Sequence, residues 1–347
     1  MKKILDKLFL QNNAEEDELI KLIHSSEYDE YLFSKASRMR KKYYGDNIYI
    51  RGLIEISSYC KNDCYYCGIR ASNKYAQRFR LMPEQILSCC DKGYELGFRS
   101  FVLQGGEDVF YTDKLICSIV SSIKEKYPDC AVTLSMGEKN AESYLSYRRA
   151  GADRYLLRHE TANSIHYGKL HPKNMSLKNR KECLFNLKKA GFQVGAGFMV
   201  GSPFQTMENL IEDLRFLQEL QPEMIGIGPF ISHKDTPFSQ YENGSAELTL
   251  RMIAIIRLMF PAVLLPATTA LATLLPDGRE RGIKAGANVL MPNLSPVETR
   301  EKYSLYDNKI HSGEEAAESL KYLKQKISSA GCNIPINRGD YAGLKNN

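Results

Sequence analysis

Nowhere does the chain hold the roughly 18 consecutive apolar residues that a membrane-crossing helix needs, so no segment is expected to span a bilayer. Its start, Met1, Lys2 and Lys3 followed by Ile4, Leu5, Asp6 and Lys7, lacks the apolar core of a secretion signal. Long basic runs are missing too. Arg38, Arg40, Lys41 and Lys42 form the densest stretch, and a solvated helix face accounts for it. With a net charge of only +6 over 347 residues, nucleic acid is not an expected partner. There is no low-complexity linker to mark off separate domains. Nine cysteines, an odd number in a large chain with no secretory leader, argue against a disulfide framework and point to a reducing cytoplasm.

What is present suits a large folded core: 43% hydrophobic and 25% charged residues are ordinary for a globular protein. Residues 1–47 read as a helical cap. Ile4, Leu8 and Leu10, then Leu19, Leu22 and Ile23, recur at helical spacing, and a further helix is expected near Glu27–Lys42. From residue 48 short β-rich runs alternate with amphipathic ones. Strands are expected at Ile48–Ile56, Ser100–Leu103, Ala131–Ser135, Arg154–Leu157, Gln193–Val200, Met224–Gly228, Val263–Pro266 and Asn288–Met291. Helices are expected at Met82–Leu96, Tyr111–Tyr127, Asn140–Ala150, Leu177–Ala190, Met207–Gln218 and Glu247–Phe260. Such alternation calls for an α/β fold with a parallel sheet and right-handed crossovers. Eight units over about 250 residues match a complete (βα)8 TIM barrel, here residues 48–295, with a C-terminal extension, 296–347, packing on it. The alternative is a six-stranded open barrel followed by a separate C-terminal piece. Gly97, Gly151, Gly191 and Gly286 close helices just before strands, and so mark the bottom of the barrel.

The chemistry-bearing residues collect at the other end. Cys60, Cys64 and Cys67 follow the first expected strand, spaced C-x3-C-x2-C. Gln104, Gly105, Gly106 and Glu107 follow the second. Arg158, His159 and Glu160 follow the fourth, Gly201–Thr206 the fifth and Pro229–His233 the sixth. Thr268 and Thr269 follow the seventh, and Pro292 and Asn293 the eighth. A TIM barrel carries its chemistry at this C-terminal face. Three thiolates so close can wrap one inorganic cluster from a single loop. A structural zinc site would want a fourth ligand, usually from a second pair, and the next cysteines, Cys89 and Cys90, sit in an expected helix. Three ligands on a 4Fe–4S cluster leave one iron open to a small molecule, the arrangement needed to bind and reductively cleave S-adenosylmethionine. Arg154, Arg158 and Glu160, at period 2, are expected on one face, pointing inward. Two guanidiniums there call for an anionic partner unless ion pairs satisfy them. His159 alternates to the opposite face and reads as a structural histidine. Met224 and Met291 are candidate cavity walls.

The cysteine loop resembles that of the radical S-adenosylmethionine (radical SAM) superfamily. The chain also carries the runs Val132–Ser135 with Gly137 and Glu138, Asp153–Asn163, Gly195–Gly197, Met199–Gly201, and Gly226–Ile231 with His233 and Asp235–Pro237. Further runs are Pro266–Ala270, Gly286–Asn293 and Tyr303–Tyr306. In this set it resembles the HydE family of FeFe-hydrogenase maturases over about residues 48–310. The resemblance implies a radical SAM type TIM barrel with S-adenosylmethionine at its top and a cavity beneath for a small anionic substrate. In that family the adenosyl radical is thought to act on a cysteine-ligated iron carbonyl cyanide synthon. It implies metal ligation by Cys60, Cys64 and Cys67. It implies cofactor contacts from Tyr66 (near the adenine), Gln104, Gly105, Gly106, Ser135, Glu160, Arg180 (on the methionine carboxylate), Met199, Ile231 and Tyr303. By the family pattern Thr133, Arg154, Arg158, Thr268, Thr269, Tyr303 and Tyr306 would line the substrate side, beside the candidate cavity walls Met224 and Met291, with Tyr306, Arg154 and Arg158 as catalytic candidates. A reductant protein and other hydrogenase maturation proteins are the implied partners. Some members hold a second cluster on three further cysteines near the C-terminal segment. Here residues 291–331 contain no cysteine and Cys332 stands alone, so one cluster is expected. Alternatives are a biotin synthase-like or methylornithine synthase-like radical reaction, or a non-catalytic iron–sulfur carrier.

Overall fold

Among the described residues ten short strands alternate with helices, as the apolar pattern requires. The computed structural model describes residues 1–310 and 317–343. The strands are β1 Tyr49–Ile50, β2 Gly52–Ser57, β3 Ser100–Gly105, β4 Ala131–Ser135, β5 Arg154–Leu156, β6 Gln193–Ala196, β7 Met199–Val200, β8 Met224–Ile225, β9 Gly228–Pro229 and β10 Val289–Leu290. Strands β2, β3, β4, β5, β6 and β8 form one parallel six-stranded sheet in that order. Strand β2 is buried along its whole length, as expected when helices cover a parallel sheet.

Both edges of this sheet carry on. Met224 bridges to Leu264, Pro266 to Val289, and Leu53 to Asn293, all in parallel, while β1 pairs with β10. The expected strand at Val263–Pro266 makes only these single bridges, because Pro266 has no N–H to continue a ladder. The two long strands expected at Gln193–Val200 and Met224–Gly228 are each broken in two. They cross closely there: a Cβ on Gly197 would stand 1.9 Å from the Gly226 carbonyl oxygen.

Three N-terminal helices come first: α1 Lys2–Gln11, α2 Glu16–His24 and α3 Asp29–Tyr44. The sheet's helices are α4 Pro83–Glu95, α5 Asp113–Lys126, α6 Ala141–Arg149, α7 Ser164–Leu170, α8 Leu177–Lys189, α9 Met207–Leu220, α10 Ala246–Met259, α11 Thr269–Leu274 and α12 Gly278–Lys284. Two more, α13 Val297–Arg300 and α14 Leu320–Ser329, follow. Thr112, Asn140, Asn163, Ser176, Thr206, Ser245 and Thr268 cap helix starts by accepting a backbone N–H. Gly97, Gly151, Gly191 and Gly286 have positive φ and end α4, α6, α8 and α12, as their spacing predicts. The chain thus leaves several strands into a polar cap and returns from four of the helices through a glycine.

Helices α1–α3 pack on the outer helices. Arg251 of α10 forks onto both carboxylate oxygens of Asp29 and donates to the Ile23 carbonyl, and Asn12 donates to Leu258 O. The C-terminal segment crosses the N-terminal ends of the strands. Ile48 N donates to Asn333 O, Asn333 N to Asp46 O, and Arg338 pairs with Asp153.

Candidate functional site

The loop after β2 carries the three thiols and is held at each turn of its backbone. Lys61 N donates to Glu107 O, Tyr65 N to Leu170 O and Gly68 N to Leu305 O. Arg78 donates to the carbonyls of Ser58, Ile69, Arg70 and Asn73, stapling the loop to its own return path. Glycine is required at 106: a Cβ there would lie 2.2 Å from Tyr59 O and 2.7 Å from the Cys60 Cβ. The end of β3 can therefore lie directly against the first thiol. Burial raises the pKa of all three thiols, and each is raised further by its cysteine neighbours or by Glu107; Cys67 reaches about 12. The loop thiols are protonated when empty, and metal must displace those protons.

Around this loop several groups converge. The Tyr66 hydroxyl lies 3.2 Å from His171 Nε2, and His171 Nδ1 lies 3.0 Å from Tyr167 O. A carbonyl can only accept, so Nδ1 carries the proton and Nε2 accepts from Tyr66. Met199 packs beside Tyr66 with Leu170 and Phe230. Gln104, level with Ser135 in the β3–β4 register, donates to the Tyr303 hydroxyl at 3.4 Å. Gly105 pairs with Ser57, and Ile231 is buried past β9. Arg180, buried on α8, holds Glu138 and the Arg158 carbonyl. Glu160 is in the left-handed region at φ 66°, a strained conformation for a non-glycine residue and one that gathers at functional sites.

Several buried polar atoms have no hydrogen-bond partner among the described residues. They include Arg158 Nε and Nη2, Glu160 Oε2, Thr133 Oγ1, Tyr167 OH, and Arg51 Nε and Nη2. Arg158 Nη2 lies 3.0 Å from Glu160 Oε2, close enough to attract but not aligned as a hydrogen bond. Among the described residues the Arg51 guanidinium has one hydrogen-bond partner, the Met224 sulfur at 2.9 Å. Burial and the nearby Arg154 disfavour its charge, and Tyr44 and Asp340 offset this only in part. Arginine does not give up its proton, so the cost stands as a demand for a counter-charge.

Three sequence expectations need correction. Arg154 is not at the site. Its guanidinium is fully buried at the N-terminal end of the sheet. There it donates to Gln193 Oε1, Ser100 Oγ, the carbonyls of Arg338 and Gly339, and Asp340 Oδ1 at 2.7 Å. Arg154 opens β5, whereas Arg158 lies two residues past its end at Leu156, so the two guanidiniums leave from opposite ends of the strand and do not share a site. Nor does strand alternation bring Arg158 and Glu160 together. Strand β5 ends at Leu156, and the turn at Glu160 makes the pair. Met224 and Met291 also fall low, clustered with Tyr44, Leu264 and Val289. Thr268 caps α11, with its hydroxyl accepting from Leu271 N, Thr269 opens that helix, and Tyr306 lies in the strap after α13. His159 is fully buried: its Nδ1 accepts from Gly197 N and its Nε2 faces Asp213 at 3.3 Å.

Sequence reasoning missed Arg51, Tyr167, His171 and the ion pair of Glu55 with Lys309, 2.5 Å apart and beside Tyr303. For Arg51 and Glu55 a signal existed: each interrupts an apolar strand run, Ile48–Ile56.

The Radical SAM superfamily profile matches residues 54–217. The FeFe hydrogenase maturase subunit HydE of Thermotoga maritima is 46% identical over 288 residues, covering 83% of this chain and 82% of that protein. This chain belongs to the radical SAM superfamily, in its HydE family. A 3-methylornithine synthase of Methanosarcina acetivorans is 28% identical over 311 residues, 89% of this chain and 86% of that one. The crystal structure of methylornithine synthase (PylB) superposes with a TM-score of 0.82 at 26% identity, over 96% of this chain and 97% of that one. HydG, a maturase of the FeFe-hydrogenase, shares the fold with a TM-score of 0.79 at 20% identity, over 95% of this chain and 74% of its own.

As a HydE-family radical SAM enzyme, the chain calls for a 4Fe–4S cluster and S-adenosylmethionine. The residues fit them. Among the described residues no three His, Cys, Asp or Glu side chains converge to hold a single ion. Each thiolate of a cluster instead binds a different iron, which suits three thiols spread along one loop. The partnerless polar atoms of Arg158, Glu160 and Tyr167 stand in wait of a polar ligand. No described helix is long and apolar enough to cross a membrane.

Proposed function

We infer that this protein cleaves S-adenosylmethionine reductively and directs the resulting radical onto a small anionic substrate, in maturation of the FeFe-hydrogenase active-site cluster. The observation that carries the anionic substrate is the set of buried guanidinium nitrogens without partners on Arg158 and, deeper in the sheet beside Met224, on Arg51; the Thr133 hydroxyl, level with Arg154 in the strand register, is in the same state. The cluster and S-adenosylmethionine together supply a 5′-deoxyadenosyl radical. This chain's residues do the rest. Cys60, Cys64 and Cys67 hold the cluster and leave one iron open. Tyr66, fixed by His171, flanks the adenine. Gln104, Gly105 and Gly106 face the methionine amino group, Arg180 its carboxylate and Glu160 the ribose or methionine. Ser135, Met199, Ile231 and Tyr303 complete the cofactor side. Thr133, Arg158, Thr268, Thr269 and Tyr306 face the substrate, and Arg51 replaces Arg154 as the deep cation.

We also propose that the eight staves close into a complete barrel, with 1–47 and 296–347 as additions to it. The parallel bridges at Leu264, Pro266 and Asn293 support this. Part of the C-terminal addition, 311–316 and 344–347, lies outside the described residues. A single cluster follows from Cys332 being buried against Arg40 with no cysteine near it in sequence. A reductant protein and other maturation proteins as partners, and a cytoplasmic setting, complete the proposal.

The test is anaerobic reconstitution followed by incubation with S-adenosylmethionine and a reductant. The protein should form 5′-deoxyadenosine, and a cysteine-ligated iron carbonyl cyanide complex should raise the rate. No 5′-deoxyadenosine would sink the enzyme reading. Formation without stimulation by the complex, but with release of a carbon-skeleton rearrangement product, would favour the methylornithine synthase-like reaction.

A further inference from the structure

We propose that Tyr167 is a further cofactor-binding residue whose hydroxyl donates to the methionine carboxylate of S-adenosylmethionine. This rests on the cofactor site proposed above and adds a residue to it. Tyr167 lies on α7, a helix the apolar pattern did not announce. It is 2% exposed, and its hydroxyl has no partner among the described residues. A buried hydroxyl without a partner is uncommon and calls for an explanation.

The ring cannot turn away to find one. It stacks on His171, one helical turn on, with centroids 4.0 Å apart and planes at 23°. His171 is itself tied at both nitrogens, to the Tyr167 carbonyl and to Tyr66. The stack therefore aims the hydroxyl in one direction. The ionisable groups that bear on it are Arg180, Glu138, Cys64 and Glu160, which are the walls of the cofactor site. Helix α7 and the turn after it also touch the thiol loop directly: Leu170 O accepts from Tyr65 N, and Met175 Sδ is 3.8 Å from Cys64 Sγ.

The carboxylate is the part of the cofactor that this hydroxyl suits. A carboxylate accepts only, and needs several donors. Arg180 has Nε committed to Glu138 and Nη1 to the Arg158 carbonyl. One arginine so engaged is a thin complement, and a neutral O–H donor beside it supplies a second. Because Glu138 already balances Arg180, the hydroxyl strengthens binding without adding charge. A short bond from O–H to an ionised acceptor is also stronger than a neutral one.

The experiment pairs one substitution with two ligands. Tyr167→Phe keeps the ring and its stack and removes only the oxygen. Binding to the reconstituted, cluster-loaded protein is measured by calorimetry for S-adenosylmethionine and for its decarboxylated analogue. The expected result is a loss of about tenfold or more in affinity for S-adenosylmethionine, the scale of a hydrogen bond to a charged group, with no change for the analogue. Equal losses for both ligands would move the contact to the nucleoside and overturn the carboxylate assignment. Unchanged affinity for S-adenosylmethionine would overturn the proposal outright. Thermal melting of the cluster-free protein is the second measurement. Removing a partnerless buried hydroxyl leaves Tm unchanged or raises it, whereas a clear fall in Tm would show that the oxygen is a structural partner. If the wild-type protein itself binds no S-adenosylmethionine, the cofactor-site reading fails along with this one, a result distinct from the variant-specific outcomes.

Discussion

Arg154 and Arg158 leave the same strand at opposite ends, and the two ends treat a buried cation differently. At the N-terminal end Arg154 spends all three nitrogens on five acceptors, one of them the Asp340 carboxylate carried in by the C-terminal segment. At the C-terminal end Arg158 keeps two nitrogens without a hydrogen bond, beside a strained Glu160 and three free thiols. The first is a finished structural lock. The second is preorganised for something that is not protein. The difference is that protein groups meet Arg154 and leave Arg158 open.

The largest expected effect tests the open end. Replacing Cys60, Cys64 and Cys67 together should take bound iron from about four per chain to none and abolish 5′-deoxyadenosine formation. Thermal stability of the metal-free protein should hold. Roughly eight irons in the wild type, with half surviving the triple replacement, would disprove a single cluster.

Next comes the closed end. Arg154→Gln should cost about 3 kcal/mol of stability, because it strips a buried hydrogen-bonded network of its cation. The denaturant midpoint should fall, while cluster content and S-adenosylmethionine affinity stay near wild type. A stable variant with lost substrate coupling would return Arg154 to the active site and break the comparison.

Arg158→Gln should do the reverse. Stability should change by about 1 kcal/mol or less, since the nitrogens removed are largely unpaired. Substrate binding should weaken by about 2–5 kcal/mol, read as lost stimulation of 5′-deoxyadenosine formation. A large drop in melting temperature with coupling intact would make Arg158 a structural residue like Arg154.

A finer test compares two replacements of Glu160. Both Glu160→Ala and Glu160→Gly should weaken S-adenosylmethionine binding and leave iron content intact. Glycine should be the more stable of the two by about 1 kcal/mol, because it alone is at ease at positive φ. Equal stability would show that the backbone there carries no strain.

The smallest effect is a pH dependence at the closed end. Burial by itself would raise the Asp340 carboxyl, but Arg154 and Arg338 outweigh it and hold the group below its usual value. A depressed folded pKa means the ion pair adds stability above the unfolded value near 4 and loses it as pH falls further. Acid unfolding of wild type and Asp340→Asn should therefore diverge above pH 4 and converge well below it. Parallel curves across that range would remove the pair's role.

Much of this was legible in the residues. The six helices expected between Met82 and Phe260 all form within a few residues of their expected ends, because amphipathic runs with Ser, Thr or Asn caps and terminal glycines leave little choice. The thiol loop was plain from spacing. Helix α7 was not, because Ser164–Leu170 is short and its apolar side, Tyr167 and Leu170, is too brief to show a period. The tyrosine proposed as a cofactor donor was hidden with it.

The order of elements, the three-thiol loop and the family were determined by local pattern, since each is written in neighbouring residues. The fate of each buried charge was not. Two arginines four apart on a strand look alike in sequence. Asp340 lies 186 residues beyond Arg154 along the chain, and only folding brings them within 2.7 Å. Whether a buried cation is a lock or a ligand site depends on which distant groups arrive to meet it, and that is decided in three dimensions.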